Sequence, residues 1–279
     1  MNTRLNQLSM LPAAALALMA ASPTDASIVA YSEDFNYANN AELQAAWIDG
    51  DTGNPAFQFF RSTSFTSAAA GQTVDPVAGG PVARLANELV YDTLDQTVTE
   101  DWTLTFKALS TNYQRGQFVA LMNADGTEGY ALNWDTAQST QFNGEGNVRL
   151  RKLDFASSWS TFGVPANTVL ATLNQSGHPA TGFPYDQSTD TYSTEFAGFA
   201  EFELSWEKAT GTLTVSVNGN VLGSAVDTDF DTFDRIYLRG NTNLVVDDII
   251  VTTIPEPGSL SLLAVGLAAV CARGRRPLT

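Results

Sequence analysis

From Val98 to Val251 apolar residues recur again and again at every second position, and that alternation limits the chain more than any other feature. Val98, Trp102, Leu104 and Phe106 share one parity, while Thr99, Asp101, Thr103 and Thr105 take the other. Phe202, Leu204 and Trp206 alternate with Glu201, Glu203, Ser205 and Glu207, and Leu213, Val215 and Val217 alternate with Thr212, Thr214 and Ser216. Side chains of a strand point to opposite faces in turn, so this period predicts strands with one buried and one wet face. Asn218-Gly219 follows directly, and both residues tolerate the positive φ of a tight hairpin turn, so Val221 and Leu222 begin a return strand. Phe118–Met122 and Tyr130–Trp134 flank Asn123-Ala124-Asp125-Gly126 as a second hairpin, and Val148 and Leu150 belong to a further strand. Ile236 and Leu238, then residues 244–251, read as two more strands around a turn at 240–243. Helix is confined to Asn40–Trp47, where Leu43 and Trp47 are four apart. Many short strands with turn chemistry between them predict an all-β sandwich, and the lack of a fixed repeat argues against a propeller or solenoid.

The two ends follow different rules. Arg4 precedes an Ala-rich apolar stretch from Leu8 to Ala21, and Thr24-Asp25-Ala26 offers small residues where a signal peptidase cuts. Residues 1–26 therefore read as a secretory signal peptide, cleaved after Ala26. At the other end Pro255-Glu256-Pro257 precedes an apolar run from Ser259 to Ala272, then Arg273, Arg275 and Arg276. A membrane span takes ~20 apolar residues, so this short transmembrane segment is a marginal anchor, with the arginines held on the cytoplasmic side. Triplet, apolar run and basic tip together resemble the PEP-CTERM sorting signal. That resemblance implies cleavage near Pro255–Pro257 by a membrane-embedded exosortase, a transient stay in the inner membrane, and delivery to the cell surface or extracellular matrix among exopolysaccharide. A plain C-terminal membrane anchor is the competing reading of residues 255–279.

Residues 27–254 then form the working domain, long enough to bury a core without staples. The single cysteine, Cys271, lies in the tail, so the domain holds no disulfide even after export to a compartment that permits one. Charge is lopsided, at −16 for the chain. Taking Asp25 and Glu256 from the 30 acids, and Arg4, Arg273, Arg275 and Arg276 from the 14 bases, leaves 28 against 10 in the domain. Such a balance excludes nucleic acid as a partner, because that binding rests on Lys and Arg contacts to phosphate. It suits solubility in a salty habitat or attraction of divalent cations.

Ser32-Glu33-Asp34-Phe35-Asn36-Tyr37 with Leu43 and Trp47, the stretch from Phe202 to Gly219, and the close Val246-Asp247-Asp248-Ile249-Ile250-Val251 are similar to exported LamG-like, concanavalin-A-like jelly-roll domains. The resemblance implies that the first and last strands are neighbours in one sheet. It also implies a structural calcium held by acids of those strands, here Glu33 or Asp34 and Asp247 or Asp248, since calcium takes several hard oxygen ligands. The competing reading is that these acids cap strand ends in solvent. Asp227, Asp229, Asp231 and Asp234 mimic the start of an EF-hand loop, but Thr232 stands where Gly is needed and Leu238 where the bidentate Glu belongs. A solvated acidic loop is the better reading.

Catalytic signatures are lacking. Laminarinase-type glycosidases of the same fold carry Glu-x-Asp-x-x-Glu on one strand, supplying nucleophile and acid. That pattern is absent here: Glu201 and Glu203 lie two residues apart and take the wet parity of their strand. His178 is the sole histidine, and no Gly-x-Ser-x-Gly elbow, phosphate loop or dinucleotide fingerprint occurs. A zinc site of several His and Cys cannot be assembled. Trp47, Trp102, Trp134 and Trp206 keep the apolar parity of their elements, whereas Trp159 lies in a polar stretch. Residues 154–194 are rich in Ser, Thr, Gly, Pro and Asn, with Phe162 and Tyr185 among the aromatics, which makes Trp159, Phe162 and Tyr185 the expected glycan contacts. The competing reading has Trp159 as a lid over a sheet edge. The expected role is a non-catalytic exported protein bound to or embedded in exopolysaccharide; the rivals are a glycan-active hydrolase and a purely structural or adhesive matrix component.

Overall fold

The computed structural model describes residues 27–50, 59–62, 65–67, 72–74, 81–85, 88–110, 117–134, 147–154, 168–175, 185–186, 191–192, 200–240 and 244–254. Ser27–Ile254 makes one compact unit. Residues 1–26 and 255–279, expected to be the leader and the sorting tail, lie outside the described residues, as do Trp159 and Phe162. In chain order the elements are β1 (Ile28–Glu33), α1 (Asn40–Ala46), β2 (Ile48–Asp49), β3 (Phe59–Ser62), β4 (Phe65–Ser67), β5 (Gln72–Val74), β6 (Val82–Leu85), β7 (Glu88–Val98), β8 (Asp101–Ser110), β9 (Gln117–Met122) and β10 (Glu128–Trp134). They continue with β11 (Asn147–Asp154), β12 (Thr168–Gln175), β13 (Tyr185–Asp186), β14 (Thr191–Tyr192), β15 (Ala200–Glu207), β16 (Thr212–Val217), β17 (Asn220–Val226), β18 (Phe233–Gly240) and β19 (Leu244–Ile254).

Two antiparallel sheets form a jelly-roll β-sandwich. The first runs β17-β16-β15-β8-β19-β6-β3, with β1 also paired to β19, and the second runs β12-β11-β10-β9-β18-β7-β2. β19 is the keystone of the first sheet. β8 lines one of its edges, and the other edge is shared between β6 at Leu244–Val246 and β1 at Ile249–Thr253. The first and last strands are therefore neighbours, with Ile28 opposite Thr253.

One core fills the space between the sheets. Trp102, Leu104, Phe106, Phe202, Leu204, Leu213 and Val251 from the first sheet meet Val90, Val119, Leu121, Tyr130, Leu132, Leu150, Ile236 and Leu238 from the second. Phe106 and Phe202, opposite each other on adjacent strands, stack at 5.1 Å, and Trp102 meets Phe233 edge-on across the sandwich at 5.5 Å. Phe35, Trp47 and Phe59 close one end as an aromatic triplet. α1 is the expected helix; Asn39 caps it by accepting from the Glu42 N–H, and Leu43 is its buried contact. The Asn218-Gly219 turn has φ of 49° and 74°, the left-handed pair that a tight hairpin requires.

The alternation from Val98 to Phe106 is not one strand. Val98 ends β7 in the second sheet and Asp101 begins β8 in the first, with Thr99–Glu100 turning between them. Val98 and Trp102 both face the shared core, so the burial rhythm runs unbroken through a change of sheet. The acidic loop after β17 is also more anchored than a solvated loop. Asp227 accepts a 2.5 Å hydrogen bond from the buried Tyr130 hydroxyl, Lys152 pairs with both Asp227 and Asp229, and its ammonium sits 4.9 Å from the Phe230 ring. Asp227 is thereby a plug at the end of the sandwich, because the phenol of a buried tyrosine needs an acceptor.

Candidate functional site

Two places combine unusual chemistry with defined geometry. The first is the acidic junction between the opening and closing strands. β19 bulges between Asp247 and Ile250, where its register with β8 shifts. Asp248 absorbs the extra residue with a φ of 48°, a left-handed conformation that Asp tolerates better than most side chains. Its carboxylate reaches Lys107 on β8 at 2.6 Å, and that hydrogen bond is the main reason the Lys107 ammonium is held above its ordinary range. Asp247 is buried and accepts from the Asp248 N–H at 3.0 Å. Burial first, then the Asp248 charge beside it, pushes its carboxyl up to about 7, with Asp34 adding in the same sense.

Glu33 is engaged within its own turn. Its Oε1 accepts from the Phe35 N–H at 2.6 Å and its Oε2 from the Tyr37 hydroxyl at 2.5 Å, which holds Phe35 at a φ of 51°. Burial raises the Glu33 carboxyl, opposed by those hydrogen bonds. Asp34 accepts from the Asn36 N–H at 3.1 Å. Asp34 and Asp248 thus both act electrostatically on Asp247, while Glu33 and Asp248 already serve protein donors. Among the described residues no group of three or more His, Cys, Asp or Glu is placed to hold a metal ion.

The second place is the outer face of the second sheet. Residues of the parity opposite to the core, namely Leu89, Phe118, Ala120, Met122, Ala131, Leu153 and Tyr237, form a separate apolar cluster. Cross-strand register sets basic and aromatic side chains among them. Along one row Arg239 lies opposite Leu89 and Phe118, Phe118 opposite Asn133, and Asn133 opposite Arg149. Along the next, Tyr237 lies opposite Tyr91 and Ala120, Ala120 opposite Ala131, and Ala131 opposite Arg151. Arg235, opposite Met122, begins a third.

Neighbouring contacts orient these groups. Tyr91 and Tyr237 stack at 4.9 Å, and the Arg235 guanidinium lies 4.9 Å from the Tyr91 ring while donating to the Tyr237 hydroxyl at 3.4 Å. Burial is the first cause that raises the Tyr237 phenol, which therefore stays protonated as an acceptor and donor. Arg151 donates from Nε to Asn133 Oδ1 at 3.0 Å, and Asn133 Nδ2 donates to the Gln117 carbonyl at 2.7 Å. Arg149, Arg235 and Tyr91 are half-buried; Arg151 and Arg239 are buried.

The spacing of these arginines was visible: Arg149 and Arg151 are two apart, and so are Arg235, Tyr237 and Arg239. Which strands would stand side by side was not, so nothing in the sequence joined Arg149 and Arg151 to Arg235 and Arg239. The expected glycan contacts are not brought together in the described structure. Tyr185 lies on the backbone of β13, paired with Tyr192 on β14, while Trp159 and Phe162 fall outside the described residues. Trp47, Trp102 and Trp206 are buried core residues, as their parity predicts. Glu201 is exposed and Glu203 half-exposed on the outer side of the first sheet, opposite Lys107 and Thr105. The same side carries a row of hydroxyls, with Thr252, Thr103, Ser205, Thr214 and Ser224 successively opposite one another. Among the described residues no helix is long and apolar enough to cross a membrane.

Residues 253–276 match the family model for the PEP-CTERM protein-sorting motif. No curated protein matches the chain. Solved structures resemble it in architecture at low identity. The globular domain of T. cruzi calreticulin is 10% identical, with 85% of this chain and 92% of that one covered at a TM-score of 0.49. A carbohydrate-binding module from Bacillus subtilis is 12% identical, with 68% and 94% covered at 0.38. The β-agarase A of Zobellia galactanivorans is 11% identical, with 82% and 92% covered at 0.44. A carbohydrate-binding module and an agarase stand side by side there, so the likeness decides nothing about activity.

Proposed function

We propose that this is an exported protein, handed to exosortase by its tail, whose sandwich acts at the cell surface or in the extracellular matrix by binding or lodging in exopolysaccharide, without chemistry of its own. The observation that carries this reading is the junction at Thr253–Ile254. The sorting motif begins at residue 253, inside the last strand of the sandwich, so the address is fused to the domain with no linker. The leader leads into β1 at Ile28, opposite Thr253, so the two processing segments join the domain at one pair of neighbouring residues. Signal peptidase and exosortase are its processing partners, and the membrane is a station on the route.

Exopolysaccharide is the partner that the row of hydroxyls on the outer side of the first sheet suits, and Trp159, Phe162 and Tyr185 remain proposed contacts on the segment that follows β11. The absence of catalysis is part of the proposal. It is supported by β15, whose carboxylates do not follow the Glu-x-Asp-x-x-Glu spacing and stand next to Lys107 and a row of hydroxyls.

The test has two parts. Replacing Pro255, Glu256 and Pro257 with alanine in a host that carries exosortase should leave uncut protein in the inner membrane. Delivery of that variant to the matrix at the normal level would sink the sorting half. A glycan array with and without calcium tests the other half: binding without product release supports it, while release of sugars that is lost in Glu201→Gln or Glu203→Gln would replace it with a hydrolase. Calcium is a condition of the same experiment. An ion at the junction of the first and last strands must displace Lys107 from Asp248, so it would appear as calcium-dependent thermal stabilisation.

A further inference from the structure

We infer that the side of the sandwich formed by β12 and β17 is an interface with a second copy of this chain, the two β17 strands pairing antiparallel along their free edges. This goes beyond the exopolysaccharide reading and does not depend on it. Charge points there first. In a domain of 28 acids and 10 bases, the two longest stretches without Asp, Glu, Lys or Arg are residues 155–185 and 209–226. The fold takes one edge strand from each. β12 ends the second sheet and β17 ends the first, and Leu173 of one lies over Gly223 of the other. Two copies with so large a common charge repel each other at most approaches, and an uncharged strip is where they meet at least cost.

The opposite ends of the two sheets are treated differently. Free strand edges invite pairing, and proteins blunt them with short strands, charges or a covering element. β2 has two residues and ends on Asp49. On β3, α1 occupies backbone groups: Asn40 Oδ1 accepts from the Arg61 N–H at 2.8 Å, and Gln44 Nε2 donates to the Phe59 carbonyl at 2.8 Å. Among the described residues no side chain caps Val221–Val226 or Thr168–Leu173 in that way. A bulge between Val221 and Gly223 interrupts β17, and Gly223–Val226 beyond it keep regular register with β16, so the pairing is centred there.

Burial is also incomplete on this side. Leu170, Ala171 and Leu173 of β12, with Leu222 and Ala225 of β17, are only partly buried against the core. Val221 and Val226 beside them are each 68% exposed. Exposed apolar groups gathered in one place mark an interaction surface. Charge then sets the direction of pairing. Asp227, Asp229 and Asp231 follow β17 directly, so a parallel pair would bring acidic loop against acidic loop. An antiparallel pair sets each acidic loop against the uncharged Asn218-Gly219-Asn220 turn of the other copy. Such a pair is two-fold symmetric and joins the two first sheets into one.

The experiment is sedimentation equilibrium of the full-length protein in density-matched mild detergent, over a range of protein and salt concentrations. The expected result is a monomer–dimer equilibrium that moves toward dimer as salt rises, because screening removes the repulsion between two acidic copies. Ser224→Glu and Ser224→Lys, at an exposed position of β17, should each weaken association at least about tenfold, since either sign brings like charges close across the paired edge. Val226→Glu and Val226→Lys are a second such pair should a Ser224 variant fail to melt cooperatively, and salt dependence is read on the unaltered protein. A monomer at every concentration and salt would overturn the inference. So would a dimer that the charged variants leave intact, which would place the contact on another surface or in the tail. Association that weakens with salt would overturn it too, by pointing to ion pairs in place of a neutral edge.

Discussion

Asp247 is where single-residue chemistry shows most. A buried carboxyl resists ionising because the charge loses its hydration, and a second aspartate directly beside it adds repulsion. The ordinary value of 3.8 rises to about 7. A carboxyl raised in the folded state contributes stability at low pH, and loses it as pH climbs from the unfolded value through the folded one. The native protein should therefore be more stable near pH 5 than near pH 8. Asp247→Asn keeps an acceptor for the Asp248 N–H and removes the charge. In thermal melts it should match the parent near pH 5 and exceed it at pH 8, by about 2–4 °C for each kcal/mol regained. A variant less stable than the parent at pH 8 would mean that Lys107 compensates Asp247 fully in the ionised state. Tyr31 and Tyr37 obey the same physics: burial is the main cause that raises each phenol, followed for Tyr31 by the Asp92 charge and for Tyr37 by its hydrogen bond to Glu33, so both stay neutral donors over the whole physiological range.

Among the elements β19 has the largest share in the fold, since β8, β6 and β1 all hydrogen-bond to it. Ending the chain after Ile254 should leave a soluble, cooperatively melting domain, because every described partner of the core lies before that residue. Ending it before Leu244 removes Leu244, Val246, Ile249 and Val251 from the core and leaves β8, β6 and β1 without their shared partner. That shorter chain should lack a cooperative transition by circular dichroism; a normal melt from it would show that β19 is dispensable.

Such elements were legible in the sequence wherever burial was one-sided. β15, β16, the Asn218-Gly219 turn and the split between β18 and β19 all announced themselves, because alternation is a local property of the chain. The break between β7 and β8 did not, because a strand that changes sheet around a common core keeps its rhythm. β9 is buried at every residue from Gln117 to Met122, so it carries no alternation to read, and its second buried face was hidden with it. The arginine face was invisible for a related reason: Arg149 and Arg239 are distant in sequence and meet on one surface only through the pairing of β11, β10, β9 and β18. The acids at the first and last strands were found by resemblance, yet their hydrogen bonds to Phe35, Tyr37 and Lys107 depend on a turn and a bulge that no periodicity reports.

At the scale of the molecule, the entry of the first strand and the exit of the last lie together at Ile28 and Thr253. Under the proposed route, a protein still held by its tail would feel drag from its surroundings, and that load would enter through Ile254 along the axis of β19. Hydrogen bonds to neighbours on both sides of a strand pulled lengthwise are strained together, whereas a hairpin pulled open at its end loses them one by one. The strand that takes the load is also the one most fully flanked, by β8 on one edge and β6 and β1 on the other. In single-molecule pulling, a handle on Ile254 with the second on Asn123 in the β9–β10 turn should give a high, single-step rupture force. Attaching the handles to Glu201 and Asn218, which face each other at the open end of the β15–β16 hairpin so that β16 is unzipped from β15, should give a much lower one; equal forces would show that β19 is not built to bear tension. On that proposal the pairing that closes the sandwich would double as its mooring point, and the last strand would be a tie-rod as much as a wall of the core.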